Sequence, residues 1–405
     1  MTRTDVYNVS SANARSTEAC PICESADTRI FFERTAMPAL IGVQWPDCES
    51  ARACNTGDIS LAFCRKCGFI WNVKFDPDRL EYEQSYDNSL HFSRVFQDYT
   101  QGLVDRLVTT YDLHGRRVVD IGCGKGDFLA MLCERGDNFG FGFDPTFDGA
   151  RVETPAADRI RWFTENYDER HAELQADLIA SRYVFEHIPA PLAFLEMVRR
   201  SIREPDRTVV YFEVPNTDLI LRQHSVWDII YEHCSYFSVE SLPRSFERAG
   251  FNVLNLAEHY GKQFLSVDAR VRTTHEATPC NWGDLEALDL AVDRFSSAMH
   301  HKFEEWRSRL DAWKANGAHV VAWGAGAKAV GFLNMLKVRD EIAGVVDINP
   351  HKRDKHLAGT GHRIVCPDDL RPDPPDVVVL MNPIYRDEIA QKLAAMDLHP
   401  QLVDA

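Results

Sequence analysis

The chain has 405 residues, more than one hydrophobic core ordinarily supports, so two or three domains are expected. Its 45% hydrophobic and 26% charged content is that of a globular protein, and no apolar run reaches the roughly eighteen residues a membrane span needs. A net charge of −16 argues against nucleic-acid binding, which leans on phosphate neutralisation by Lys and Arg.

Residues 1–19 lack the apolar core of a secretion signal, so a cytoplasmic home is expected. The eleven cysteines then read as thiols and metal ligands rather than disulfides. Cys20-Pro-Ile-Cys23 and Cys64-Arg-Lys-Cys67 form two C-x-x-C knuckles. Together they offer four thiolates, the donor set of a closed, structural Zn²⁺ site. A redox C-x-x-C is the rival for either pair, and Cys48 and Cys54 are left out as ordinary thiols. In the tyrosine-rich stretch that follows, Tyr86 and His91 are candidate ligand contacts, with aromatic packing as the alternative.

Residues 118–129, VVDIGCGKGDFL, predict a strand, a tight turn and a helix opening at about Asp127. Gly122, Gly124 and Gly126 let the backbone approach a ligand, and the helix start aims free N–H groups at it. The spacing behind Asp120 is G-x-G-x-G rather than the dinucleotide G-x-G-x-x-G. It resembles the first motif of class I S-adenosylmethionine-dependent methyltransferases. That resemblance implies that the turn holds the amino-acid part of the cofactor and that an acid ending the next strand takes the ribose. Asp144, twenty residues past Gly124, stands where that acid belongs.

Alternating apolar runs and helical stretches continue to about residue 216, implying a parallel sheet covered on both faces. Ligands of such sheets lie beyond the strand carboxyl ends, which here carry Asn166, Tyr183, Glu186, His187, Glu213 and Asn216. Taken alone, His187 reads as a structural or helix-start residue. Residues 228–238, DIIYEHCSYFS, add two tyrosines, two acids and a histidine in an apolar setting.

From Leu285 to Trp313 apolar residues recur in steps of three and four, predicting one long amphipathic helix, with core packing favoured over chain pairing. A second strand, G-x-G turn and helix follows at Gly324 and Gly326, with Asp347 downstream. It predicts a smaller Rossmann-like unit, although a lone G-x-G is weak evidence for a bound dinucleotide.

Taken together, the paired knuckles, D-I-G-C-G-K-G, E-V-P-N, E-H-x-S-Y-F-S, G-A-G-A-K and V-D-I-N-P resemble one family. It is the zinc-containing S-adenosylmethionine-dependent C-methyltransferases that act on keto groups of nucleotide-linked deoxysugars in antibiotic biosynthesis. The resemblance implies an α/β protein: a class I methyltransferase, Rossmann-like domain at 81–270, flanked by a small zinc-binding domain at 1–80 and a helix plus Rossmann-like domain at 271–405. It also implies His233 as base, with Glu232 orienting it and His187 and a tyrosine as helpers. The family tyrosine stands two residues before the glutamate, where this chain has Ile230, leaving the adjacent Tyr231 as the candidate. The family's serine-rich substrate motif is replaced by Tyr86-Asp-Asn-Ser89. Tyr86, Tyr236 and Lys328 are the candidate substrate contacts, Lys328 toward phosphate. A small-molecule partner, with no nucleic acid or membrane and a monomer or homodimer, completes the expectation. The alternatives are O- or C-methylation of another small metabolite, and an NAD-dependent oxidoreductase built on the Gly324 turn.

Overall fold

Short β-branched and aromatic runs alternate with polar turns, and they pair into three sheets in the computed structural model, which describes residues 18–80, 90–147, 153–273 and 282–405. Strands β1 (Thr28–Pro38), β2 (Thr56–Cys64) and β3 (Ile70–Asn72) pair antiparallel. Strands β4 (Arg117–Ile121), β5 (Phe139–Phe143), β6 (Ile160–Phe163), β7 (Leu178–Arg182) and β8 (Val209–Pro215) are mutually parallel. The short β9 (Ser235–Tyr236) leaves this unit and pairs with β3, giving the first sheet the order β1-β2-β3-β9. Strands β10 (Phe251–His259) and β11 (Phe264–Val271) complete the second sheet, with β11 antiparallel to β8 and the order β10-β11-β8-β7-β4-β5-β6.

Strands β12 (Val320–Trp323), β13 (Gly344–Val346), β14 (Ile364–Val365), β15 (Val377–Leu380) and β16 (Gln401–Asp404) form the third sheet, all parallel, in the order β14-β13-β12-β15-β16. In both parallel sheets the strand order reverses beside the strand that precedes a glycine turn, β4 in one and β12 in the other. Such a reversal opens a crevice at the strand carboxyl ends. The class I arrangement expected from the sequence is present, with a second doubly wound unit after it.

The long helix runs from Leu285 to Ala315, and Asp284 caps it by accepting the Glu286 and Ala287 amides. Its buried stripe includes Val292, Phe295, Met299, Phe303 and Trp306, so the expected core packing is what the helix does. Phe295 packs on Phe31 and Phe32 of β1, while Phe303 meets Trp227, which also lies against Phe332 of the third unit. One continuous core thus joins the first sheet, the helix, the 226–236 stretch and the third sheet. Each such side chain, once buried, contributes about 1.5–3 kcal/mol, enough to hold the units as one body around the crevices. No described helix is long and apolar enough to cross a membrane.

This shared core fastens residues 231–236 from the amino-terminal side. Ile70 and Trp71 pair with Tyr236 and Ser235, and the Asn72 amide donates to the Cys234 carbonyl at 3.0 Å. The Asp76 amide donates to the Tyr231 hydroxyl at 2.8 Å, and the Ile41 amide donates to the Glu232 carboxylate. A segment with little regular structure of its own is therefore positioned by backbone groups far away in sequence.

Candidate active site

A cleft of about 1020 Å³ runs between the second and third sheets and is lined by both glycine turns. At its first end Gly122, Gly124 and Gly126 have φ of 71°, 56° and 90°, the left-handed region that side chains resist. A Cβ on Gly122 would also stand 2.2 Å from Val184 Cγ2. The helix that follows, Asp127–Gly136, points its start at this turn. Asp144, just past β5, accepts the Gly124 amide at 2.9 Å through one oxygen and the Thr146 amide and hydroxyl at 2.8 and 2.7 Å through the other.

Asp120 is buried at the base of the turn, and its Oδ1 has no hydrogen-bond partner among the described residues. Burial pushes its carboxyl up to about 7, against the opposing charge of Arg182. An orphaned acceptor facing a cleft beside free helix N–H groups fits a ligand carrying both an amino and a carboxylate group.

The second turn repeats the pattern with one addition. Asp347, just past β13, accepts the Ala325 amide at 2.8 Å and the Asn349 amide at 2.8 Å. Lys352 reaches in from behind, its ammonium 3.4 Å from Asp347 and donating to the Ala325 carbonyl at 3.0 Å. Lys328, at the start of the helix Ala327–Met335, also lines the cleft and is ion-paired with Asp228 there.

Between the turns stand His187, His233 and Glu186, with ligand atoms all within 4.8 Å of one another. His187 follows β7 on the short 3-10 turn Phe185–His187. The Glu232 carbonyl lies 3.0 Å from His187 Nδ1, and since a carbonyl only accepts, Nδ1 carries the proton. Burial lowers the His187 pKa to about 4, opposed by that carbonyl, and burial plus His187 lowers His233 well below the ordinary value. Both imidazoles are therefore neutral at neutral pH. Their rings meet edge to face, 5.0 Å apart.

Beside them, Tyr183 directly follows β7 with φ of 59°, a conformation that costs a non-glycine residue on the order of 1–3 kcal/mol. Its hydroxyl accepts from Arg182 at 3.0 Å, and Arg182 pairs with Glu213 at 2.9 Å. Burial opposes ionisation of Glu213, but Arg182 and the hydroxyls of Tyr183, Tyr211 and Tyr99 hold its pKa below the usual carboxylate value. This network ties Tyr99 on the helix Arg94–Tyr111 to the strand ends under the cleft.

Asp120, Gly122, Gly124, Asp144, His187, His233 and Lys328 all line the cleft, and Gly126 caps the helix behind it. Glu232 is fully buried behind His187, with Oε2 at 4.0 Å from Nδ1, so its carboxylate is placed at His187. Tyr231 and Tyr236 do not line the cleft. The Tyr231 hydroxyl is held at Asp76, and the Tyr236 hydroxyl donates to the Ile230 carbonyl at 3.0 Å. Tyr86 lies outside the described residues. Sequence reasoning missed Arg182 and Lys352 as site residues; for Arg182 the available signal was a charged side chain ending an otherwise apolar strand, whereas Lys352 stands in a polar run and offered none.

At the other end of the first sheet, Cys20 Sγ lies 3.6 Å from Cys67 Sγ and Cys23 Sγ lies 3.5 Å from Cys64 Sγ. All four sulfurs fall within 4.8 Å of one another. Tetrahedral zinc with bonds of about 2.3 Å needs sulfur–sulfur edges of roughly 3.8 Å, so this donor set fits that ion.

Residues 91–256 match the model of a methyltransferase domain, and residues 286–399 match that of a C-methyltransferase C-terminal domain. The C-methyltransferase NovU of Streptomyces niveus is 26% identical over 351 residues, covering 82% of this chain and 81% of that protein. A ubiquinone biosynthesis O-methyltransferase of Actinobacillus pleuropneumoniae serotype 7 is 29% identical over 118 residues, 26% of this chain and 49% of that protein. Among solved structures, an S-adenosylmethionine-dependent methyltransferase from Aquifex aeolicus is 16% identical, covering 45% of this chain and 100% of that one with a TM-score of 0.33.

The chain is an S-adenosylmethionine-dependent methyltransferase. The two matched models follow one another along it as a methyltransferase domain and a C-methyltransferase C-terminal domain. Its resemblance to the C-methyltransferase family, first carried by the motifs, extends over most of its length.

Proposed function

We propose that this chain methylates the carbon next to the keto group of a nucleotide-linked deoxysugar. The observation that carries the reading is the continuity of the cleft from one glycine turn to the other. Drug-sized ligands fill pockets of about 300–1,000 Å³, so a cleft of about 1020 Å³ accommodates a cofactor at the first turn and an extended acceptor reaching the second. S-adenosylmethionine supplies an electrophilic methyl group at the first turn. There Asp120 and the amides of the glycine turn receive its amino-acid part, and Asp144 takes the ribose hydroxyls.

The acceptor lies over His233 and His187 with its phosphates toward Lys328. Neutral His233 removes the α-proton. His187, whose Nδ1 proton is held by the Glu232 carbonyl, lines the wall beside His233 and has no second proton for the oxygen on which charge develops. The enolate carbon then attacks the methyl group, a step governed by positioning. Tyr231 and Tyr236 act on this site by holding the 231–236 stretch in place. Cys20, Cys23, Cys64 and Cys67 hold a structural zinc ion. The reduced thiols this needs accord with a cytoplasmic protein.

Incubating the protein with S-adenosylmethionine and a panel of nucleotide-linked keto-sugars, their nucleotide-free sugars and simple phenols tests the reading by mass spectrometry. The expected result is one added methyl on a nucleotide-linked keto-sugar and at least tenfold slower conversion of the free sugar, since one lost charge-assisted hydrogen bond costs about 1.5–3 kcal/mol. Equal methylation of free and nucleotide-linked forms contradicts it, as does methylation of phenols alone.

A further inference from the structure

Glu186 has no part in the mechanism above, yet it occupies the same wall of the cleft. It is 2% exposed, and its Oε2 has no hydrogen-bond partner among the described residues. It sits on the turn that carries His187, and its carboxyl lies within 4.8 Å of the ring nitrogens of His187 and His233. The Glu186 backbone carbonyl accepts from the Cys234 thiol at 3.5 Å, which ties this turn to the His233 stretch. An ionised carboxylate so enclosed needs a donor or a counter-charge. Its own backbone amide donates to it, but the groups facing it supply no counter-charge: His187 and His233 are neutral, Cys234 is a thiol, and Glu213 and Glu232 carry the same sign.

We infer that Glu186 is a further catalytic residue, a carboxylic acid whose O–H hydrogen-bonds to the keto oxygen of the acceptor while His233 takes the α-proton. Burial first, then Glu213 and Glu232, push its pKa up to about 8, consistent with an acid that keeps its proton at neutral pH. In the step, the α-carbon–hydrogen bond breaks and its proton goes to His233. The freed pair forms the carbon–carbon double bond, and the carbonyl π pair moves onto oxygen, where the Glu186 O–H stabilises it. As the new carbon–carbon bond forms to the methyl group, the sulfur–methyl pair returns to sulfur and the carbonyl is restored. Glu186 keeps its proton, and His233 releases its own to solvent.

The inference rests on the enolate reading, and two measurements test it. With no substrate present, the infrared difference between wild type and Glu186→Gln at neutral pH is expected to contain the carbonyl stretch of a protonated carboxylic acid, lost in the variant. Absence of that band overturns the inference without touching the sugar reading. In turnover, Glu186→Ala is expected to lower kcat by about 10²–10³-fold, the usual cost of an oxyanion donor. Glu186→Gln, whose amide still donates, should stay within about tenfold of wild type. Both should retain the stabilisation that S-adenosylmethionine gives wild type. Wild-type turnover by Glu186→Ala overturns the inference; so does a Glu186→Gln variant as inactive as Glu186→Ala, because a negative charge would then be what the site requires.

Discussion

Replacing His233 by alanine is expected to lower methyl transfer by about 10³-fold, within the usual range for loss of a general base. His233 lines the cleft between the two turns and meets His187 edge to face. Burial and the neighbouring imidazole keep it unprotonated well below the ordinary histidine value of 6.5, so the basic form persists as the solution turns mildly acidic. A weak base facing a weaker carbon acid needs help at the oxygen, which is the part given to Glu186. The variant should still gain thermal stability from S-adenosylmethionine, because the first turn lies apart from this side chain and a ligand of the native state stabilises it. Exchange of the α-proton with solvent should fall together with turnover. Full turnover by His233→Ala would remove it as the base.

Replacing Cys64 by alanine is expected to be the most damaging single change to the fold. Cys64 ends β2 and lies 3.5 Å from Cys23, with Cys20 and Cys67 beside it. Structural zinc sites in small peptides contribute about 10–16 kcal/mol of apparent binding energy, more than a domain's whole margin of stability. The loss would not stay local. Residues just past Cys67 form β3, and β3 is the strand that holds Ser235 and Tyr236 next to His233. Metal analysis should find one zinc per wild-type chain and none in Cys64→Ala, with a lower unfolding temperature and loss of activity even at saturating cofactor. A wild type without zinc, or a Cys64→Ala variant of unchanged stability, would refute the assignment.

Much of this was legible because it is local. The strand, three glycines and helix start of the first turn lie within twelve residues, and Asp144 follows at a fixed interval along the next strand. The long helix was visible from its three-and-four spacing, and the second turn from its likeness to the first. What escaped depends on contacts between distant segments. Nothing near Tyr231 in sequence says that its hydroxyl is held at Asp76, or that Tyr236 turns back to Ile230.

Those placements follow from β9 crossing to β3, a pairing of two residues that carries no periodic signal. The family resemblance gave Glu232 as the residue that orients His233, whereas the fold sets its carboxylate near His187. Lys352 and Arg182 were hidden for a related reason. A charged residue, whether at the end of an apolar strand or within a polar run, announces burial only once its partner, Glu213 or Asp347, is known to lie beside it.

The most direct measurement uses a nucleotide-linked keto-sugar carrying deuterium at the carbon next to the ketone, with S-adenosylmethionine as methyl donor. Carbon methylation through an enolate predicts a product with the new methyl on that carbon, visible by nuclear magnetic resonance, and one α-deuterium lost for every methyl gained. A methyl group on oxygen with the α-deuterium retained would contradict the account.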